Sequence, residues 1–184
     1  MDIKTGWFLS IVVTILVILI YYNPDNYKFI NNQQGYKPDQ PIAFSHRVHA
    51  KDNAIPCLYC HFAAEESRHA GIPSANVCMN CHREIKKDSP EIQKIVKAIK
   101  TNTPIVWTKV NSVPDFVYFN HSIHINRNIK CEKCHGDVAS MDKVYRANKL
   151  GMGWCISCHR EYTHKVLKLE PGSQVLVDCS VCHY

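Results

Sequence analysis

The sequence predicts a mostly helical chain with much irregular structure, very little sheet and one N-terminal transmembrane helix, organised around embedded cofactors. Three observations carry that reading. All ten cysteines fall in five C-x-x-C-H pentapeptides: Cys57–His61, Cys78–His82, Cys131–His135, Cys155–His159 and Cys179–His183. A twenty-residue stretch from Thr5 to Pro24 carries no charge. An F-x-H-x-x-H element occurs twice, ending eight residues before Cys57 and seven before Cys131.

The pentapeptide spacing is that of covalent c-type haem attachment. Two thiols add to the vinyl groups of one porphyrin, and the adjoining histidine ligates its iron. With His at 11 of 184 positions, a chance histidine after any given C-x-x-C has odds of roughly one in seventeen. Five successes in five, with no cysteine left over, predict five haem c. The attachment residues are Cys57, Cys60, Cys78, Cys81, Cys131, Cys134, Cys155, Cys158, Cys179 and Cys182, with His61, His82, His135, His159 and His183 as proximal ligands. Zinc ribbons pair their knuckles two by two, which leaves one knuckle unmatched and the histidines unexplained. A disulfide framework suits an even cysteine count but predicts no fixed spacing. A thioredoxin-like motif occurs once, near a βαβ pattern.

The N-terminal element is read as residues 1–25. Twenty helical residues span about 30 Å, a bilayer's hydrocarbon thickness. Trp7 and the Tyr21–Tyr22 pair sit where interfacial anchors belong. A cleaved signal peptide competes, but no small-x-small site follows Tyr21-Tyr22-Asn23-Pro24-Asp25. An uncleaved anchor is expected. Haem attachment happens outside the bacterial cytoplasmic membrane, so the remainder is expected in the periplasm.

Residues 26–40 form a polar connector rich in Asn, Gln, Pro and Asp. The haem-bearing domain is 41–184, with modules at about 41–82 and 115–184 and a linker at 83–114. About 160 residues follow the anchor, roughly 32 per haem, too few to build a side-chain core around each cofactor. The haems are therefore the core, and the apo chain should not fold. In the linker, Ser89-Pro90-Glu91 reads as a helix start. Ile92, Ile95, Val96 and Ile99 then share one face. Pro104 and Pro114 bracket an irregular or lone-strand stretch, and 92–117 is the candidate docking segment. Other short helices are expected at or just after each pentapeptide.

Five irons need five sixth ligands. His46, His49, His121 and His124 supply four, since two imidazoles three residues apart share one helical face. The first of each pair is assigned to the haem whose cysteines follow it, with the element's Phe on a porphyrin face. For the fifth iron the candidates are Met152, ahead of Met141, with His69 and His164 also open. A thioether would raise that haem's potential. His183 should fasten the tail to an iron.

The formal charge is +6. Each ferric haem, with two propionates, adds about −1, so the basic balance is no argument for nucleic acid. The lysines Lys86, Lys87, Lys94, Lys97 and Lys100 read as a solvated helix face.

The chain resembles the membrane-anchored pentahaem cytochrome subunit of bacterial alternative complex III. The resemblance rests on the anchor, the five pentapeptides and the text between them: Ala70-Gly71-Ile72-Pro73, Val113-Pro114-Asp115-Phe116-Val117-Tyr118-Phe119, Met152-Gly153-Trp154-Cys155 and Cys182-His183-Tyr184. It implies a non-catalytic electron carrier beside iron–sulfur and polytopic quinone-binding subunits that oxidise quinol. Electrons would pass on to a monohaem cytochrome c or a terminal oxidase. A tetrahaem-type quinol dehydrogenase is the competing class, but the single helix offers no recognisable quinone pocket. A catalytic pentahaem reductase would carry C-x-x-C-K at its open iron, and every pentapeptide here ends in histidine.

Overall fold

The computed structural model describes residues 3–22, 33–170 and 172–184. Parts of the expected anchor and connector, residues 23–32, lie outside that set. The chain divides into two units, one containing the N-terminal helix and one running from Gln34 to Tyr184. Among the described residues there is no strand; the elements are short helices and turns.

In the first unit, α1 covers Ile3–Tyr22. Its side chains are apolar and exposed all round, the composition of a helix solvated by lipid rather than packed on protein. It is long and apolar enough to cross a membrane.

The second unit starts with the end of the polar connector, which is fastened rather than loose. Gly35 N–H donates to Arg146 O at 2.7 Å and Arg146 N–H to Tyr36 O at 3.0 Å. Gln40 exchanges two side-chain bonds with the Thr108 backbone, both 2.9 Å. The Asp39 carboxylate meets Lys143 at 2.6 Å.

Each pentapeptide lies on a helical turn. Helices α2 (Cys57–Cys60) and α6 (Cys131–His135) begin at the first cysteine, because Pro56 and Lys130 hold extended backbone just before it. Helices α3 (Ala75–His82) and α7 (Met152–Lys165) begin three residues earlier than the sequence suggests, where Ser74 and Gly151 are the extended residues. Cys179–Val181 form a single 3₁₀ turn. Helix α6 stops at Gly136, whose φ of 71° and ψ of −168° lie in a region only glycine occupies at low cost. A Cβ there would sit 2.6 Å from that of Ala147.

Helix α4 (Pro90–Lys100) has Ser89 at its N-cap and Pro at N1, as its sequence predicts. The Ser89 hydroxyl does not cap it; instead Gln93 N–H donates to Ser89 O at 2.9 Å. Ile92 and Ile95 bury against Ile42, with Ala75, Cys78, Met79 and Trp107 around them. Ile99 stays 38 % exposed, so the apolar stripe is buried only over its first two turns. Residues 105–110 form no regular element, and Trp107 N–H donates to Ile105 O at 3.1 Å.

Buried hydrophobic side chains among the described residues number six: Ile42, Ala64, Ile92, Ile95, Val110 and Met141. That is a small core for a body of this length. Hydrophobic burial scales with apolar area removed from water, so side-chain packing alone holds this unit weakly.

Candidate functional site

The two F-x-H-x-x-H elements are built alike although their backbones differ. The first opens a π-helical turn, Arg47–Asp52, with His46 at its N-cap. The second forms α5 (His121–Ile125), capped by the Asn120 side chain, which accepts from Ser122 N–H at 2.9 Å. In both, the phenylalanine wedges between the histidines. Phe44 stands edge-on to His46 at 4.9 Å and stacks on His49 at 4.3 Å. Phe119 stands edge-on to His121 at 4.8 Å and lies tilted against His124 at 4.5 Å. The aromatic ring thus orients two imidazoles at once, a role its place in the sequence motif alone does not reveal.

The structure brings distal and proximal candidates together in facing pairs. Ring centres of His121 and His135 are 6.4 Å apart, with planes at 7°. His124 faces His159 at 6.0 Å and 30°. His49 faces His82 at 6.0 Å and 59°. An imidazole nitrogen binds a first-row metal at about 2 Å, which puts two trans ligands' ring centres about 6 Å apart. The spacing of all three pairs therefore fits an iron between them.

Tautomers are set from the backbone. Seven of the nine pentapeptide and H-x-x-H histidines have Nδ1 against a main-chain carbonyl: His49 to Ser45 at 2.8 Å, His61 to Gly71 at 2.7 Å, His82 to Ile85 at 2.9 Å, His121 to Arg68 at 2.8 Å, His124 to Asn120 at 2.7 Å, His159 to Leu176 at 2.8 Å and His183 to Phe116 at 2.8 Å. A carbonyl only accepts, so Nδ1 carries the proton and Nε2 keeps its lone pair for a metal. Gly71 and Leu176 contribute only a carbonyl, whereas Phe116 offers His183 both its carbonyl and its ring.

Charge follows the same logic. Burial, then the nearby His61, His49 and His135 rings, pushes His46 down to about 4. Burial also lowers His124 and His135. These rings are neutral near pH 7, the form that ligates metal. The thiols go the other way: burial pushes Cys134 up to about 11 and raises Cys60, Cys78, Cys131 and Cys155. A zinc site needs thiolates. No three His, Cys, Asp or Glu side chains converge on a bare metal ion among the described residues. All ten cysteines are unpaired. Paired imidazoles beside C-x-x-C thiol pairs fit a porphyrin.

Candidates for the fifth iron are scattered. His183 stacks on Phe116, ring centres 5.8 Å apart. Met152 opens α7 and is 65 % exposed, whereas Met141 is buried at 6 %. His69 and His164 are exposed, and His164 Nδ1 lies 3.4 Å from Leu169 O. The tail is held as well: Tyr118 N–H donates to Cys182 O at 2.9 Å, and Tyr118 stacks on Tyr184 at 4.7 Å.

This arrangement defines a class, and sequence comparison reaches the same one. Residues 117–184 match the family described as cytochrome c7 and related cytochrome c. The chain belongs to the multihaem c-type cytochromes. It is 31 % identical, over 166 residues, to the multiheme cytochrome c subunit of a menaquinone reductase from Nitratidesulfovibrio vulgaris (strain Hildenborough). The match covers 79 % of this chain and 77 % of that relative.

Proposed function

We propose that this chain is the electron-relaying subunit of a quinone-linked membrane complex and carries five covalent haem c, one per pentapeptide. The observation that carries the reading is the set of facing imidazole pairs at 6.0–6.4 Å, each placed beside a C-x-x-C-H turn. His121 then caps the Cys131 haem, His124 the Cys155 haem and His49 the Cys78 haem. His46, whose buried Nδ1 has no hydrogen-bond partner and whose neighbour is His61, is left for the Cys57 haem. His183 holds the fifth, with Met152 as the preferred opposite ligand and Met141, His69 and His164 as the others. When bound, the haems supply one-electron chemistry. The protein's part is to fix axial ligands, tautomers and spacing.

On this reading the chain is a single-pass protein of the cytoplasmic membrane with its haem domain in the periplasm, supported by an α1 long and apolar enough to span a bilayer. Its partners are iron–sulfur and quinone-binding subunits. The relative is a subunit of a menaquinone reductase, which favours electron flow through this chain towards menaquinone. The text around Val113–Phe119 and Ala70–Pro73, which resembles alternative complex III, supports the reverse flow from quinol towards a monohaem cytochrome c or an oxidase. Assaying the complex purified from its native membrane decides between them. Haem reduction by added menaquinol supports the second direction. Haem oxidation by menaquinone after reduction from the periplasmic side supports the first. Quinol turnover by this subunit alone would contradict both.

A further inference from the structure

We infer, resting on the five-haem reading, that the Cys78–His82 site is one end of the haem row and that the basic surface beside it docks an acidic redox protein. The row is traced by contacts between successive sites. Asn80 Nδ2 donates to Tyr59 OH at 3.0 Å, tying the Cys78 helix to the Cys57 helix. The Cys57 side chain lies beside the Cys131 thiol. The backbone just after the first pentapeptide supports the same join, because Ser67 O and Arg68 O accept from Ser122 and His121 N–H at 3.2 and 3.3 Å. Asn148 Nδ2 donates to Cys134 O at 3.0 Å just ahead of α7. His159 reaches Leu176 O, three residues before Cys179. The order is therefore Cys78, Cys57, Cys131, Cys155, Cys179, which differs from chain order at its first step.

The chemistry at the two ends of this row differs. Beside the Cys78 site, residues 83–100 hold six basic side chains (Arg83, Lys86, Lys87, Lys94, Lys97 and Lys100) against three acidic ones. All six are exposed, and only Lys94 is tied up, by Glu91 at 2.7 Å. Helix α4, which carries Lys94, Lys97 and Lys100, packs Ile92 and Ile95 against Cys78 and Met79. The lysines are thereby fixed to the scaffold that holds the haem. At the other end, residues 160–184 balance three basic side chains with three acidic ones. A fixed cationic patch steers an anionic partner over about a Debye length and orients it at that haem.

The test uses the full-length holoprotein in detergent, first counted for haem by intact mass. Its reduction by a reduced plant-type ferredoxin, an acidic one-electron donor, is followed by stopped flow. We expect the bimolecular rate to fall at least about tenfold between low and high salt. Lys86→Glu, Lys87→Glu, Lys97→Glu and Lys100→Glu together should slow it at least about tenfold at low salt, and the matching Lys→Gln set less. Lys165→Glu with Lys168→Glu, at the other end, should leave it within about twofold. Five haems with equal sensitivity at both ends, or at neither, overturns the docking inference and leaves the haem count standing. Fewer than five haems overturns the reading beneath it.

Discussion

Replacing Phe119 with alanine removes the one ring that touches both His121 and His124. Each aromatic contact is worth about 0.5–1.5 kcal/mol beyond area burial, so the pair contributes about 1–3 kcal/mol to holding the two imidazole planes. That biases the native ring orientations by roughly 5- to 150-fold. Losing it frees both rings about their iron–nitrogen axes, although both Nδ1–carbonyl bonds remain. The assay is ferric electron paramagnetic resonance, because the g-values of a bis-imidazole haem depend on the angle between its two ligand planes. The planes now meet at 7° and 30°, and each distribution should broaden. Two low-spin signals should therefore broaden or shift together while the other haems keep theirs. A change in one signal, in all five, or in none would refute the wedge, as would a high-spin signal showing that a ligand was lost.

Other expected outcomes follow from the same geometry. Phe44→Ala should act likewise on the haems assigned to His46 and His49, one of which, with planes at 59°, should give the larger maximum g-value in the wild-type spectrum. His124→Ala should open the iron held by His159, turning about one-fifth of the iron high-spin and leaving five haems in the intact mass. Gly136→Ala places a Cβ 2.6 Å from Ala147 at a φ of 71°; a cost of about 1–3 kcal/mol should show as a melting temperature lower by several degrees, read by circular dichroism. Deleting residues 181–184 removes Cys182, His183 and the Tyr118–Tyr184 stack, and should remove one covalent haem and make residues 113–119 sensitive to protease.

Much of the site is legible in the sequence because covalent attachment demands consecutive chemistry. Two thiols and a proximal histidine must lie within five residues, so local spacing reveals them. The H-x-x-H pairs are visible for the same reason, since both rings come from one turn. What each ring faces is not local. His49 and His82 are 33 residues apart and His124 and His159 are 35, and only the folded backbone brings them together. Nor does H-x-x-H spacing reveal a π-helical turn in one copy and an α-helix in the other, because both present residues three apart on one side. The carbonyls that fix the His61, His159 and His183 tautomers come from Gly71, Leu176 and Phe116, which stand 10, 17 and 67 residues away along the chain. Two of these, Gly71 and Phe116, position His61 and His183. The Phe44 and Phe119 rings each lie against both imidazoles of their own element, a contact that the order of residues in the motif does not specify.

The most direct test is the intact mass of the chain isolated from its native host, with every cysteine mapped. The account predicts the polypeptide plus five porphyrins, each joined through one C-x-x-C pair. Free thiols, cystines or bound zinc at any of these pairs would contradict it.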